Sequence, residues 1–382
     1  MPDLSECRER LDQIDSQIMR LLVERQEVSA DVAAYKAANG LAVLDRERER
    51  AKIQKATELV PPELSNYATV LQTLLMEASR DAQHQLLDDQ AGTVSARIRP
   101  ALGAQPSFFP LGATVACQGV PGAYQQIAAD RLFRQAQISY QESFADVFDA
   151  VESGACQFGV LPIENSTAGS VNGVYSLLRT HDCHIVRTCR LRVDHNLLVL
   201  PGTTKDDIEI VYSHEQALQQ CAGYIASLPH ARGHLCKNTA KAAEKVASSG
   251  RHDIAALASR DCASLYGLEV LEHSVQDSSS NYTRFACIAK DLVIYPGADR
   301  TSLVLVLSHE PGSLFKVLAK FYALGINIIK LESRPIPNRD FEFMFYFDIE
   351  YPAAAPRFLE LLDALESSCE EFRYLGSYQE VI

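Results

Sequence analysis

Hydrophobic residues recur at helical spacing through residues 4–87. The first row follows a heptad at Leu4, Leu11, Ile18 and Val32, and its neighbour runs through Ile14, Leu21 and Val28. No proline interrupts the chain until Pro61 and Pro62 mark a turn, and Asp45 is a plausible N-cap. The pattern predicts one helix of about 35 residues, roughly 50 Å long, followed by two shorter helices. Two shorter helices cannot cover so long an apolar seam, so we expect a partner chain to cover it.

The pattern then changes twice. Residues 88–112 contain three prolines and no periodicity, which predicts a linker at 91–112 after a helical domain at 1–90. From 113 to 291, short β-rich runs alternate with helical patterns, which predicts an α/β domain with a parallel or mixed sheet. A region of this size forms either one sheet or two lobes. Two segments, "LRVDHNLLVLPG" and "LEVLEHSVQDSSS", are typical of crossings between two lobes. The overall fold class is therefore multidomain.

The C-terminal residues 300–382 follow the order strand, helix, strand, strand, helix, strand. The first helix, "PGSLFKVLAKFYALG", has proline at its start and glycine at its end. The segments "INIIKLESRP" and "FEFMFYFDIE" are expected to pair as a hairpin. This order predicts an α+β, ferredoxin-like unit.

Composition excludes several classes of protein. The net charge of −13 argues against a nucleic-acid binder, and no run approaches the roughly 20 apolar residues of a membrane span. Ten scattered cysteines without CxxC spacing predict reduced thiols and a cytoplasmic location. An acidic ligand would need locally clustered arginine and lysine.

Such a cluster is present in the helical region. Arg25 occupies the apolar row, where a buried guanidinium needs an anionic partner. Lys36 lies within roughly 20° of Arg25 on the helical wheel, whereas Arg8 points about 100° away. Ser79 and Gln83 are polar neighbours at i and i+4 on the third helix. A solvated, salt-bridged face is the alternative interpretation of this charge pattern.

The helical region resembles the mutase domain of the bifunctional chorismate mutase–prephenate dehydratase family, through "RERLDQIDSQIMRLLVERQEVSADVAAYK", "DRERE" and "EASRDAQ". The resemblance implies a swapped helical dimer in which Arg8 reaches the partner's active site. It implies that Arg8 and Arg25 hold the two substrate carboxylates with help from Ser79, and that Lys36 and Gln83 bind the ether oxygen. The ring hydroxyl is then held by Asp45, Arg48 and Glu49. A Claisen rearrangement suits these residues, because it needs a folded dianion and donors to an oxygen that gains charge.

The α/β region resembles the dehydratase domain of the same family through "PIENS", "YSHEQ" and "NYTRF". The family implies that Thr283 is catalytic and helps the ring hydroxyl leave as water while CO₂ is lost. Our candidate for polarising Thr283 is Glu164. The residues expected to orient the carboxylates are Asn165, Ser166, Gln216 and Arg284. From the residues alone, a turn hydroxyl that caps the strand is the preferred role of Thr283.

Three positions depart from the family pattern. Ala123 and Gln125 stand where small hydroxyl residues are usual, and Ser176 stands where aspartate is usual. His181, Cys183 and His184 are candidate metal ligands, but their spacing fits a strand and no fourth ligand is evident.

The C-terminal region resembles an ACT domain, an amino-acid-sensing fold, through "HEPGSLFKVL" and "ESRP". These motifs imply a phenylalanine site formed by Gly312, Ser313, Leu314, Glu332, Ser333, Arg334 and Pro335. Helix capping and a hairpin bend are the alternative roles of the two motifs.

The sequence therefore predicts an enzyme that converts chorismate to prephenate and then to phenylpyruvate. We expect a homodimer or larger homo-oligomer, feedback inhibition by phenylalanine, and no cofactor or metal. Two alternatives stay open: an arogenate dehydratase, and a non-catalytic regulator that senses small molecules.

Overall fold

The computed structural model describes residues 3–41, 45–87, 94–278, 280–336, 339 and 342–382. The helices are α1 (Leu4–Ala38), α2 (Arg46–Glu58), α3 (Ser65–Leu87), α4 (Val94–Gly103), α5 (Tyr124–Leu132), α6 (Phe144–Glu152), α7 (Asn172–Thr180), α8 (Glu215–Gln220), α9 (Ala222–Ser227), α10 (Thr239–Ser249), α11 (Arg260–Tyr266), α12 (Ser313–Ala323) and α13 (Phe358–Glu366). Two short 3₁₀ helices span Pro62–Leu64 and Lys205–Asp207. None of these described helices is long and apolar enough to cross a membrane.

The strands are β1 (Gly112–Gln118), β2 (Gln135–Gln141), β3 (Phe158–Asn165), β4 (Gly169–Ser170), β5 (His184–Arg192), β6 (Asn196–Val199), β7 (Ile210–Ser213), β8 (Arg232–Leu235), β9 (Ile254–Ala258), β10 (Glu269–Glu272), β11 (Tyr282–Ala289), β12 (Arg300–Val306), β13 (Asn327–Pro335), β14 (Phe343–Glu350), β15 (Glu371–Tyr378) and β16 (Glu380–Val381). They form three sheets within the described residues.

The N-terminal helical prediction is confirmed. Helix α1 has 35 residues, and Asp45 caps α2 by accepting a hydrogen bond from the backbone N of Arg48 at 3.0 Å. Helix α3 packs against both α1 and α2. Much of the heptad seam stays uncovered within this chain, because Leu4, Leu11 and Leu21 are each about 60% exposed.

The α/β region has two lobes, each with its own sheet, as predicted. The first lobe has the strand order β16-β5-β11-β3-β1-β2, with β4 paired to β3, and the second has the order β10-β6-β9-β7-β8. Both sheets mix parallel and antiparallel pairs. The chain crosses between lobes after β5 and again after β10, within the two predicted crossing segments. Between the lobes, these crossings leave a cleft.

Residues 94–103 differ from the prediction, because they form helix α4 where no periodicity was detected. Val94 and Ile98 lie one turn apart and are both buried in the core of the C-terminal unit. The backbone N of Val94 donates to Glu366 at 2.7 Å, and that of Ser95 donates to Asp363 at 2.9 Å. A helix whose capping acceptors lie on distant α13 leaves no local capping signal in its own sequence.

The C-terminal unit has the predicted βαββαβ order, with an antiparallel sheet arranged β13-β14-β12-β15. Helices α12 and α13 cover one face of this sheet. The opposite face packs on the first lobe, where Tyr346 and Tyr378 share a core with Phe148 and Leu178.

The last strand, β16, leaves this unit and pairs in parallel with β5 of the first lobe. The Glu380 side chain is only 1% exposed and forms ion pairs with Arg190 at 2.9 Å and with Arg300 at 2.7 Å. The chain therefore attaches the C-terminal unit to the first lobe at both of its ends.

Candidate functional sites

A cavity of about 180 Å³ lies among the three N-terminal helices. The predicted residues that line it are Arg25, Lys36, Asp45, Arg48, Glu49, Ser79 and Gln83. Helix α1 contributes the first two, the start of α2 contributes the next three, and the end of α3 contributes the last two. Arg8 is exposed near the start of α1 and does not line this cavity, in keeping with its predicted direction.

Arg25 is held by neutral oxygens. Its Nη1 donates to the backbone O of Leu75 at 2.6 Å and also to Ser79 Oγ, which accepts from Ser29 as well. Burial lowers the pKa of Arg25 because no close carboxylate offsets its lost hydration. The guanidinium is therefore placed to gain stability from an anionic ligand.

Other groups in this cavity were missed by the sequence analysis. Burial lowers the pKa of Lys52, and the neighbouring Arg48 and Arg25 lower it further, so the cavity gathers positive charge. Arg80 donates to Glu49 at 2.6 Å and also binds Glu77. These residues follow or precede predicted ones by one turn or less, but the sequence does not show which charges pair across helices.

Gln83 is 7% exposed, and its Oε1 has no hydrogen-bond partner among the described residues. A buried, unsatisfied amide oxygen is unfavourable unless a ligand or water binds it or the amide is turned. Its position beside Lys36 in the cavity lining suits contact with a polar group of a ligand.

The second site is the cleft between the two lobes, a cavity of about 390 Å³ lined by Thr283, Asn165 and Gln216. Asn165 Nδ2 donates to Thr283 Oγ1 at 2.9 Å and to Asn281 Oδ1 at 2.9 Å. Because Thr283 accepts this hydrogen bond, its own hydroxyl proton is available to a group in the cleft.

The orientation of the Asn165 amide is fixed by several donors. Its Oδ1 accepts from the backbone N and the hydroxyl of Thr167, from the backbone N of Ala168, and from Gln216 Nε2. With Oδ1 committed to four donors, Nδ2 must face Thr283. The β3–β11 pairing therefore presents a threonine hydroxyl that a neutral amide polarises.

Glu164 and Arg284 are placed differently from the sequence prediction. Side chains alternate along a strand, so Glu164 and Arg284 face away from Asn165 and Thr283, and neither lines the cleft. Arg284 forms an ion pair with Asp348 of β14 and another with Glu164 at 3.2 Å. Burial opposes its charge, but Asp348, Tyr378, Tyr175 and Glu164 together outweigh burial and raise the pKa of Arg284. In this structure Asn165, rather than Glu164, contacts Thr283.

Ser166 also lies outside the cleft lining. Its Oγ donates to the backbone O of Ser280 at 3.0 Å and accepts from the backbone N of Tyr282 at 2.9 Å. Ser166 therefore holds the crossing segment that leads into β11. Of the four residues predicted to orient carboxylates, the structure brings Asn165 and Gln216 to the cleft.

A histidine in the first crossing segment was missed. His195 is 3% exposed, and its Nε2 lies 3.1 Å from Gln220 Oε1, which also accepts from Asn281. Burial lowers the pKa of His195, which favours the neutral ring. The network joins the two lobes, and His195 and Gln220 line the cleft together with Thr283. Its only sequence signal is the position of His195 in the predicted crossing.

Of the three residues that depart from the family pattern, two line the cleft and one lies outside its lining. Ala123 and Gln125 line the cleft, and Gln125 Nε2 donates to Gln118 at 3.2 Å. Ser176 is exposed on α7 and donates to the backbone O of Asn172, so it lies outside the cleft lining.

On the cleft wall from the second lobe, Lys237 supplies positive charge next to the N-terminus of α10.

The third site is a cavity of about 590 Å³ around the N-terminus of α12. Gly312, Ser313 and Leu314 line it, with an apolar wall at Phe343 and Phe345. Gly312 has φ +87°, which favours glycine there.

The motif "ESRP" lies elsewhere. None of its four residues, Glu332, Ser333, Arg334 and Pro335, lines the cavity around α12 in this chain. Glu332 accepts from Ser170 of the first lobe and forms an ion pair with Arg334 at 2.7 Å. The two motifs predicted to form one effector site are therefore separated within one chain.

The residues considered for a metal do not converge. Cys183 is buried, which raises the pKa of its thiol to about 12. His184 lines a cavity that neither His181 nor Cys183 lines. His181 lies near Asp149 and Glu152, with their candidate ligand atoms within 4.8 Å of one another. All ten cysteines are free thiols.

Comparison with known proteins places two sequence families on two of these sites. The chorismate mutase type II family matches residues 7–84, and the prephenate dehydratase family matches residues 115–292. The bifunctional chorismate mutase/prephenate dehydratase of Escherichia coli K12 is 31% identical over 97% of this chain and 95% of that protein. The arogenate dehydratase/prephenate dehydratase 1 of Arabidopsis thaliana is 40% identical over 69% of this chain and 71% of that protein.

Two solved structures each cover 70% of this chain. Prephenate dehydratase from Arthrobacter aurescens, in complex with L-Phe, is 26% identical with a TM-score of 0.64 over 70% of this chain and 89% of that chain. GqqA, a novel type of quorum quenching acylase, is 32% identical with a TM-score of 0.64 over 70% of this chain and 98% of that chain.

Proposed function

Since this chain belongs to the bifunctional chorismate mutase/prephenate dehydratase family, it converts chorismate to prephenate and prephenate to phenylpyruvate, and we propose that the helical cavity carries the first reaction and the interlobe cleft the second. The observation that carries this assignment is that each matched region holds its own polar cavity. The fold alone does not fix the chemistry, because a quorum quenching acylase shares it.

In the helical cavity, catalysis requires positioning and charge stabilisation. The rearrangement breaks the ether C–O bond and forms a C–C bond without a nucleophile or an obligatory proton transfer. Arg25 would bind one carboxylate, while Lys36 and Gln83 would donate to the ether oxygen as it gains negative charge. Lys36 is the stronger of these two donors because it carries a full charge.

In the cleft, the reaction removes the ring hydroxyl and the ring carboxylate together. The C–CO₂ electron pair aromatises the ring as the C–O bond to the hydroxyl breaks. Thr283 would donate its proton to the departing oxygen, so that water leaves rather than hydroxide. Asn165 Nδ2 donates to Thr283 Oγ1 and would stabilise the negative charge that Thr283 acquires.

A coupled assay tests the assignment as a whole. Purified protein given chorismate should form phenylpyruvate, with prephenate appearing first as an intermediate. Given prephenate directly, the protein should form phenylpyruvate without a lag. Formation of prephenate without phenylpyruvate would show that the cleft does not perform the proposed dehydration.

The swapped dimer is a separate proposal. It is supported by the exposed apolar seam of α1 and by Arg8, which lies outside the cavity of its own chain. Arg8 from each protomer would complete the partner's cavity.

Subunit mixing tests this proposal. The single variants Arg8→Ala and Lys36→Ala should each lose most of the mutase activity, about tenfold and about a hundredfold. After unfolding and refolding together in equal amounts, half of the dimers should carry one intact site, which restores about a quarter of wild-type activity. No recovery on mixing would show that Arg8 acts within its own chain.

We also propose that the C-terminal unit is an ACT domain that binds phenylalanine at the cavity around α12. The amino-acid carboxylate would take backbone N–H groups near Gly312 and Ser313, and Phe343 and Phe345 would contact the ring. Because Glu332 to Pro335 lie outside this cavity in one chain, they would reach the ligand only from a second unit.

A buried ion pair supplies a route from this domain to the cleft. Arg284 follows Thr283 on β11, and Asp348 on the ACT sheet binds its guanidinium. A shift of the ACT sheet would therefore move the strand that carries Thr283. An effector changes activity only through its different affinity for the two arrangements.

Deleting residues 300–382 would leave Arg284 without Asp348, so point variants test this proposal better. Leu314→Ala and Phe343→Ala should weaken phenylalanine binding in calorimetry and raise the concentration needed to inhibit dehydration. Asp348→Asn should preserve binding in the cavity but reduce inhibition. Unchanged binding in both cavity variants would place the effector elsewhere.

Arogenate is the second candidate substrate. The 40% identity to an arogenate dehydratase/prephenate dehydratase over 69% of this chain favours testing it. The ratio of kcat/KM for prephenate and for arogenate, measured on the same preparation, decides between them.

A further inference from the structure

A fourth cavity, of about 410 Å³, lies where three parts of the chain meet. Helix α4 forms one wall, the end of α7 with the start of β5 forms a second, and strands β12 and β15 form a third. It shares no lining residue with the helical cavity, the cleft or the cavity around α12.

Three guanidinium groups line this cavity, from Arg97, Arg179 and Arg373. Arg373 is fixed, because its Nη1 donates to the backbone O of Arg179 at 2.6 Å and its Nη2 to the backbone O of His181. Burial lowers the pKa of Arg373, and the charge of Arg97 is among the groups that lower it further. The cations repel one another, so an anion between them would be stabilised.

The other two guanidinium groups are unpaired. Within the described part of the chain, neither Arg97 nor Arg179 takes part in a side-chain hydrogen bond or ion pair. Of the two carboxylates in the lining, Glu371 is bound by Arg339 at 2.8 Å, and Asp182 is exposed. Positive charge therefore exceeds the negative charge available to neutralise it.

A buried histidine provides independent evidence for a ligand. His184 lines the cavity and is 8% exposed, and its Nδ1 has no hydrogen-bond partner among the described residues. Burial lowers its pKa, which favours a neutral ring. A buried polar atom without a partner is unfavourable unless a ligand or water occupies the cavity.

The remaining walls are apolar. Val304, Val306 and Phe372 line the side formed by β12 and β15. Val304 and Val306 are already buried in the core shared with the first lobe, whereas Phe372 is half-buried. An inorganic ion would leave Phe372 uncovered, whereas an organic anion would cover it.

We propose that this cavity binds a small organic carboxylate with an apolar body. The carboxylate would lie between Arg97 and Arg179, within reach of His184, and the apolar body would cover Phe372. A ligand here would contact helix α4, the first lobe and the C-terminal unit at once, and would stabilise their packing.

Crystals of the full chain soaked in para-bromobenzoate test the position directly. Anomalous scattering from bromine should mark the cavity beside Val304, with the carboxylate facing Arg97. Bromine found only in the cleft or beside α12 would overturn the proposal. This experiment requires no catalysis, so its result is independent of the proposed reactions.

Calorimetry with the same probe tests the residues. Arg97→Gln and Arg179→Gln should each weaken binding about tenfold, the usual loss for a charged hydrogen bond. Arg99→Gln is the matched control, because Arg99 is exposed on the same helix but does not line the cavity. Equal affinity in Arg97→Gln and Arg99→Gln would contradict the proposal, as would inorganic phosphate binding as tightly as the probe.

Discussion

The helical cavity and the interlobe cleft differ in how much of each site one chain completes. Around Thr283, the side chains bond to one another across two lobes, and the sheets behind them have buried cores. Around Arg25, the cavity lies on three helices whose apolar seam is largely exposed. The cleft is built by long-range packing within the chain, whereas the helical site is the one for which we propose completion by a second chain. The two activities should therefore respond differently to the same perturbation.

The largest expected effect comes from Thr283→Ala. Loss of the proton donor should lower prephenate dehydration about 10²- to 10⁴-fold, while chorismate rearrangement stays at the wild-type rate. Asn165 keeps its hydrogen bond to Asn281, so the cleft should remain folded. Stopped assays on each substrate measure the two rates. Thr283→Ser should retain part of the activity. Dehydration at the wild-type rate in Thr283→Ala would show that Thr283 only caps the strand.

Lys36→Ala should have the opposite selectivity. Removing this donor should lower mutase activity by about 3 kcal/mol of transition-state stabilisation, as for loss of an oxyanion-hole donor. Dehydration of added prephenate should be unchanged because its site lies in another region. Lys55→Ala, which changes a lysine of α2 outside the cavity lining, is the control. If Lys36→Ala converted chorismate at nearly the wild-type rate, the mutase site would lie elsewhere.

A charge introduced into the apolar seam of α1 tests whether mutase activity depends on the proposed dimer. Leu11→Glu should separate the dimer and lower mutase activity about tenfold, since Arg8 of the partner would be lost as a charged donor. Dehydration should persist in the monomer. Light scattering gives the oligomeric state, and Gln13→Glu adds the same charge at an exposed polar position. A fully active monomer would show that one chain completes both sites.

The smallest expected effect is a pH dependence of stability that arises from His195 in the cleft. Burial lowers the pKa of His195 below its ordinary 6.5, so the unfolded chain takes up a proton at higher pH than the folded chain. The contribution of His195 to the free energy of unfolding is complete above its ordinary pKa of 6.5. It is lost as the pH falls through the lower pKa of His195 in the folded state. Thermal unfolding followed from about pH 7.5 to 5 should show a steeper decline for wild type than for His195→Gln. Parallel declines would show that His195 does not titrate as described.

Periodicity and motif position predicted the larger features of this molecule. The heptad rows predicted α1, the two crossing segments predicted two lobes, and seven of the residues that line the helical cavity came from charge pattern and motif positions. Side-chain direction was harder. Placing Glu164 beside Thr283 followed proximity in the motifs, but strand alternation turns that carboxylate towards the C-terminal unit. Helix α4 and His195 were missed because their partners are remote in sequence, and the cytoplasmic location stays a prediction.

The short strand β16 has a mechanical consequence. The C-terminal unit joins the first lobe through the segment after β11 and again through β16 beside β5, and β5 and β11 are neighbouring strands. Between these two attachments, the face of the C-terminal sheet shares a buried core with the first lobe and binds Arg284 through Asp348. The unit is therefore clamped against the sheet that bears Thr283, and displacing it would strain the strand that carries Thr283.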